Sequence, residues 1–248
     1  MMRLRQVCFV AEDLESSLSE LTRVFGTDVC FRDPGVGHFG LANGLLEVGG
    51  DFIEVVSPIK SNTTAGRFLN KMNGDSGYML IFQCDNALSY REKAEKLNIR
   101  SIWKTDLDNG VSATHFHPKD INGVIMSIDS MNDEVWKEKY SYWQWAGGDW
   151  LNKKKNNGFS LIGVTMKCNH SKSLAEKWSL FLDLPLVLED NIYKLKANDF
   201  EINFIEDINI KFNYMSELDV KVNDLDFKNS LDSKGNEVSV CGVKINLI

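Results

Sequence analysis

The sequence predicts an α+β protein in which one βαβββ unit is used in tandem. Two observations carry this. The phrase GGDFIEVVSP (Gly49 to Pro58) is echoed by INGVIMSIDS (Ile121 to Ser130), each running from a glycine turn into a strand. The segments that precede each phrase fall in the same order, and a folded unit used twice fixes an architecture before any single motif does. At the matching distance past the glycine, the first phrase has Glu54 and the echo has Ser127.

The first unit opens with the alternating run RLRQVCFVAED (Arg3 to Asp13). In the next stretch Leu14, Leu18, Leu21 and Phe25 recur at helical spacing, with Gly26 as the stop. Strands follow near Asp28 to Arg32, His38 to Val48 and Asp51 to Pro58. The second unit repeats the order: GYMLIFQCDN (Gly77 to Asn86), a helix over ALSYREKAEKLNI, and strands near Ser101 to Lys104, Ser112 to Pro118 and Gly123 to Asp129. Asp13 and Asp85 both stand where a first strand hands over to its helix, which makes Gln6 the counterpart of Tyr78.

A weaker third copy runs from Phe159 to Asn169, through a helix around Ser173 to Leu182, to strands near Leu186 to Leu188, Ile192 to Ala197 and Phe200 to Glu206. A strand near Ser216 to Asn223, a short helix near Asp226 to Leu231 and two strands within Glu237 to Ile248 read as a worn fourth copy. The expected domains are 1–130 and 157–248, joined by an aromatic-rich linker over 131–156.

Together with the βαβββ pairs, GGDFIEVVSP and the stretch DPGVGHFGLANGLLEVGG (Asp33 to Gly50) resemble the vicinal oxygen chelate superfamily, in particular its glyoxalase-like domains. The likeness extends to motifs over 1–130 and to topology alone over 157–248. It implies a cup-shaped mixed sheet around a pocket, a degenerate second domain of the same kind, and metal ligands on the first and last strands of each module. Those four places fall on Gln6, Glu54, Tyr78 and Ser127. An amide oxygen and a carboxylate suit one divalent cation such as Fe, Mn, Ni, Zn or Mg. Tyr78 and Ser127 are poor ligands and read better as substrate-binding positions.

THFHP sets His115 and His117 two apart on a strand, hence on one face. In the superfamily's topology that strand borders the one carrying Ser127, so the two imidazoles stand as replacement ligands or as acid and base; the alternative is an edge pair in solvent. Strand alternation puts Phe52, Glu54 and Val56 on one face, and a carboxylate among apolar neighbours has a raised pKa that suits a general base. The competing reading is a solvated Glu on an exposed sheet. His38, between glycines in GVGHFGLANG, reads as a substrate contact or as part of a shaped hairpin. Arg67 in SNTTAGRFLNK reads as an anion contact where a helix begins or as a solvated side chain.

Between Trp136 and Trp150 the chain concentrates Trp136, Tyr140, Tyr142, Trp143, Trp145 and Trp150. Such apolar area is not left in water without cause, and domain packing, a lid and a homo-oligomer interface all answer to it.

Composition sets the outer limits. With 248 residues, 43% of them hydrophobic, the chain can bury a substantial core. A net charge of −7 argues against a broad nucleic-acid or anionic-membrane surface. No run approaches the roughly 20 apolar residues of a membrane helix, and Glu12, Asp13 and Glu15 arrive too early for a signal peptide. The cysteines, 5 in all and without a CxxC, read as reduced residues of a cytoplasmic protein. Phosphate-loop, dinucleotide and nucleophile-elbow motifs are missing.

Two functions remain. One is an enzyme on a small oxygenated metabolite, using metal- or acid/base-assisted enolate or oxyanion chemistry of lyase, isomerase or dioxygenase type, with Glu54, His115 and His117 catalytic. The other is a metal-free protein that sequesters a small molecule, as in the bleomycin-resistance branch.

Overall fold

The computed structural model describes residues 2–155, 158–232 and 235–248. The expected junction of linker and second domain, at 156 and 157, lies outside them. The first module is β1 (Met2–Val10), α1 (Leu14–Phe25), β2 (Val29–Phe31), β3 (Leu41–Val48) and β4 (Asp51–Pro58), followed by α2 (Thr64–Met72). The second is β5 (Ser76–Cys84), α3 (Ala87–Lys96), β6 (Ser101–Asp106), β7 (Ser112–Phe116), a single turn α4 (Pro118–Ile121) and β8 (Ile125–Ser130). Their strands form one mixed sheet of eight, ordered β2-β3-β4-β1-β5-β8-β7-β6.

After α5 (Trp150–Lys153) the pattern recurs as β9 (Phe159–Cys168), α6 (Ser171–Leu182), β10 (Leu186–Glu189), β11 (Ile192–Lys196) and β12 (Glu201–Glu206). Last come β13 (Tyr214–Val222), α7 (Leu225–Asp232), β14 (Glu237–Val240) and β15 (Val243–Leu247). Among the described residues this second sheet has seven strands, ordered β10-β11-β12-β9-β13-β15-β14, so the fourth unit is one strand short of the βαβββ order there.

Local chemistry accounts for these elements. The Asp13 side chain caps α1 by accepting from Ser16 N, and Gly26 ends the helix in the left-handed region at φ 58°. The apolar stripe of α1 lies on β3 and β4, where a side chain at Gly44 would collide with Leu18. Gly49 and Gly50, at φ 62° and 86°, form the two-residue turn between β3 and β4, a geometry that side-chain-bearing residues adopt only with strain.

Pairing fixes the internal symmetry. Val7 lies opposite Leu80, Gln6 opposite Ile81 and Cys8 opposite Met79, so the rotation that exchanges β1 and β5 carries Gln6 onto Met79. Glu54, beside Cys8, then maps onto Ser127, beside Ile81. The expected match of Gln6 with Tyr78 is therefore one residue out. Asn86, not Asp85, caps α3 by accepting from Leu88 N and Ser89 N, so the two helices begin one position apart from the expected register.

One face of each sheet packs into a shared core. Val7, Phe9, Leu80 and Phe82 meet Val164, Met166 and Leu218, with α1, α3 and α6 contributing Leu18, Ala94 and Trp178. Trp178 Nε1 donates to Ile121 O at 2.8 Å, which ties the second half to the first through a buried bond. The opposite face of the first sheet has its own core, in which Cys8, Phe52, Met79 and Ile125 pack against Trp143 and Trp150. The aromatic segment thus fills the hollow of the first cup, where six-membered and indole rings bury more area than any other residues available.

Candidate functional site

The floor of the first cup is a closed polar network. Glu54 is 6% exposed and accepts from Gln6 Nε2 at 2.9 Å and Asn43 Nδ2 at 2.6 Å. Gln6 Oε1 in turn accepts from Trp143 Nε1 at 2.8 Å. Burial pushes the Glu54 carboxyl upward, against bonds from Asn43, Cys8 and Gln6 that favour its ionised form. Beside it Arg5, with no exposed surface, lies against the rings of Phe52, Trp143 and Trp150 and donates to Ser141 O at 2.7 Å. Burial and the neighbouring Arg3 lower the Arg5 pKa to about 9. These contacts fasten the aromatic segment onto the strands beneath it.

On the other side of the cup, Ser127 donates to Asp129 Oδ1 at 2.5 Å, and Trp145 Nε1 donates to Asp129 Oδ2 at 2.7 Å. Asp129 is 2% exposed, and burial raises its pKa from 3.8 to about 7. The segment therefore supplies an indole donor to each side of the floor, Trp143 to one and Trp145 to the other.

The open space is at the mouth. A cavity of about 850 Å³ is walled by residues that include Phe39, Leu41, Tyr78, Trp103, His115 and Ile125. The second half contributes Asn169, Lys211, Phe212 and Asn213 to the same cavity. His115 lies across the sheet from Ser127, with its ring 4.5 Å from that of Trp103 and 6.5 Å from that of Phe39. Its burial among these rings lowers its pKa to about 4, so the imidazole is neutral at ordinary pH. Tyr78 is buried beside Phe68, and burial pushes the pKa of its phenol well above the usual range.

The expected site residues thus divide into groups. Tyr78, Arg67, His115 and His117 meet at the cavity, whereas Gln6, Glu54 and Ser127 are buried and absent from its wall. His117 uses Nδ1 to accept from Lys119 N and cap α4, while His38 lies in a 3-10 turn (Pro34–Phe39), exposed and outside the cavity wall, rather than in a strand. The glycines and Pro34 around His38 favour that turn over the expected extended start.

The expected metal set of Gln6, Glu54, His115 and His117 does not fit an ion. Among the described residues no group of three or more His, Cys, Asp or Glu side chains could hold one. The donor atoms are also committed: Gln6 Oε1 to an indole, Glu54 to two amides and His117 Nδ1 to a helix N–H. In the second sheet Gly163, Asn203, Glu217 and Asn246 hold the corresponding places, by the same pairing logic. There Asn246 Nδ2 donates to both Glu217 at 2.9 Å and Asp219 at 2.7 Å.

Several site residues escaped the sequence reading. Asp129 stands two positions beyond Ser127 and shares its face, a relation that strand alternation discloses. Lys71 follows Arg67 by one helical turn. Asn43, Lys119 and Lys211 carry no sequence signal, because only the fold brings their segments together.

No family model matches the chain, and no curated protein matches it. Among solved structures, a hypothetical protein from Staphylococcus aureus aligns over 100% of this chain and 99% of its own, with a TM-score of 0.67 and 12% identity. A Streptomyces coelicolor methylmalonyl-CoA epimerase in complex with 2-nitronate-propionyl-CoA covers 52% of this chain and 94% of its own, at TM-score 0.46 and 17% identity. The Mycobacterium tuberculosis methylmalonyl-CoA epimerase covers 54% and 91%, at TM-score 0.46 and 17% identity. At such identities the likeness is one of fold. The chain carries tandem βαβββ modules in two mixed sheets, the second one strand smaller among the described residues, a fold it shares over its whole length with the Staphylococcus aureus hypothetical protein.

Proposed function

We propose that the protein binds a small organic molecule at the mouth of its first cup, with no metal ion among the protein groups that contact it. The observation that carries this reading is the division of polar residues: His115 and Tyr78 border open space, while Glu54 and Gln6 are sealed behind Trp143. A largely apolar cavity with a few convergent polar groups is the common form of a ligand site. A volume of about 850 Å³ lies in the range of such sites. His115 presents a neutral imidazole to the ligand, and Trp103 and Phe39 present rings for stacking.

A second reading, an acid/base enzyme, draws support from the Ser127–Asp129 pair opposite His115. A carboxyl that titrates near neutrality behind a hydroxyl is suited to proton exchange. In that reading His115 is the group that meets the substrate, and Ser127 and Asp129 position it.

The binding reading is tested with N-phenyl-1-naphthylamine, a neutral aromatic probe whose emission rises in apolar surroundings. Emission should rise on titration into the native protein and fall away in Ile102→Glu, which charges an exposed wall position without touching the core. No emission change with the native protein, and none with an anionic dye of the same aromatic body, would sink the reading.

A further inference from the structure

We infer that the cavity's ligand is an organic anion, its apolar body held against the aromatic wall and its charged head met by Arg67, Lys71, Lys119 and Lys211. This rests on the binding reading and names the class of ligand within it. Those four cations line the cavity, and among the described residues no aspartate or glutamate does. The bias is notable in a chain of net charge −7, whose overall field repels anions. The cations come from three separate places, α2, α4 and the turn before β13, so no single charged run accounts for them.

None of the four forms an ion pair with a carboxylate among the described residues, although such pairing is common elsewhere in the chain. Arg91 pairs with Asp106 at 2.8 Å and Arg32 with Glu15 at 2.7 Å. Asp120, next in sequence to Lys119, is taken by Arg100 at 2.7 Å. Arg67 is steadied by its own helix end, donating to Asn62 O at 2.5 Å and Thr64 Oγ1 at 3.0 Å, which directs a held guanidinium rather than a free one. Lys71 Nζ rests 3.8 Å from the centre of the Phe212 ring, a cation–π contact in place of a counterion. Its pKa is lowered by partial burial and by Lys119, so two like charges are held near each other. An anion between them would relieve that repulsion.

The rim is also built to stay in place. Asn213, 6% exposed, donates to Asn122 O at 3.0 Å and accepts from Asn169 N at 3.1 Å, which fixes the turn carrying Lys211 and Phe212 beside the end of α4. Cations set on fixed backbone lose less freedom when they meet a ligand.

The test pairs two probes with nearly the same aromatic body: 8-anilinonaphthalene-1-sulfonate, which is anionic, and N-phenyl-1-naphthylamine, which is neutral. Native protein should bind the sulfonate roughly tenfold more tightly, and added salt should erode that preference. The double variant Lys71→Gln/Lys119→Gln, both surface positions, leaves Arg67 and Lys211 in place and should cut the preference severalfold, with a larger loss for the sulfonate than for the neutral probe. Equal binding of the two probes by native protein, or a preference that is undiminished in the double variant, would overturn the anion inference while the binding reading stands. Failure of both probes to bind would overturn the binding reading itself.

Discussion

Trp143 donates its indole N–H to Gln6 at 2.8 Å, and Gln6 passes a second bond to Glu54 at 2.9 Å, so a residue of the segment between the two sheets closes the floor of the first cup. With Trp143 fully buried, Trp143→Phe should leave Gln6 Oε1 without a donor. The expected loss is about 1–3 kcal/mol of unfolding free energy, read by urea denaturation, with probe binding at the mouth unchanged. A variant as stable as the native protein would mean the bond is dispensable.

Asp129 makes stability fall as pH rises. Its folded carboxyl holds a proton up to about 7, whereas the unfolded one releases it near 3.8, so the folded state binds more protons throughout that window. Native protein should lose stability relative to Asp129→Asn between those limits, by at most roughly 4 kcal/mol. Parallel stability curves for the two proteins from pH 4 to pH 8 would contradict this placement of Asp129.

The architecture was largely legible because its signals are local: alternation for strands, the Leu14-Leu18-Leu21-Phe25 stripe for α1, and a Gly-Gly turn before β4. The register of the second module slipped by one because Asp85 and Asn86 are both good helix caps, and only the bonds from Leu88 N and Ser89 N choose between them. Glu54 was legible as buried, yet its isolation from the cavity was not. That isolation depends on Trp143, which is distant in sequence and whose packing partner no local pattern specifies. The cationic rim was hidden for the same reason, since Arg67, Lys119 and Lys211 meet only when both halves are folded.

His115 should titrate far below an ordinary histidine. Its folded pKa of about 4 lies under the unfolded value near 6.5, so it stays neutral in the fold and costs stability as pH falls between those values. Imidazole resonances followed by NMR should show His115 unprotonated at pH 5.5. A midpoint above 6 would mean that its ring is solvated and not enclosed by Trp103 and Phe39.

Metal should be substoichiometric in protein purified without chelator, and a chelator should leave probe binding unaltered. Elemental analysis checks the first and repeat titration the second. One equivalent of Fe, Mn, Ni, Zn or Mg, lost together with probe binding, would restore the expected ligand set of Gln6, Glu54, His115 and His117.

A ligand site at the mouth and a sealed carboxylate at the floor make opposite demands on two substitutions. The most direct measurement is a titration of N-phenyl-1-naphthylamine into Glu54→Gln and His115→Ala, with folding of each checked by circular dichroism. Glu54→Gln should bind as native protein does, and His115→Ala should bind severalfold more weakly. Binding lost in Glu54→Gln but retained in His115→Ala would contradict the placement of the site.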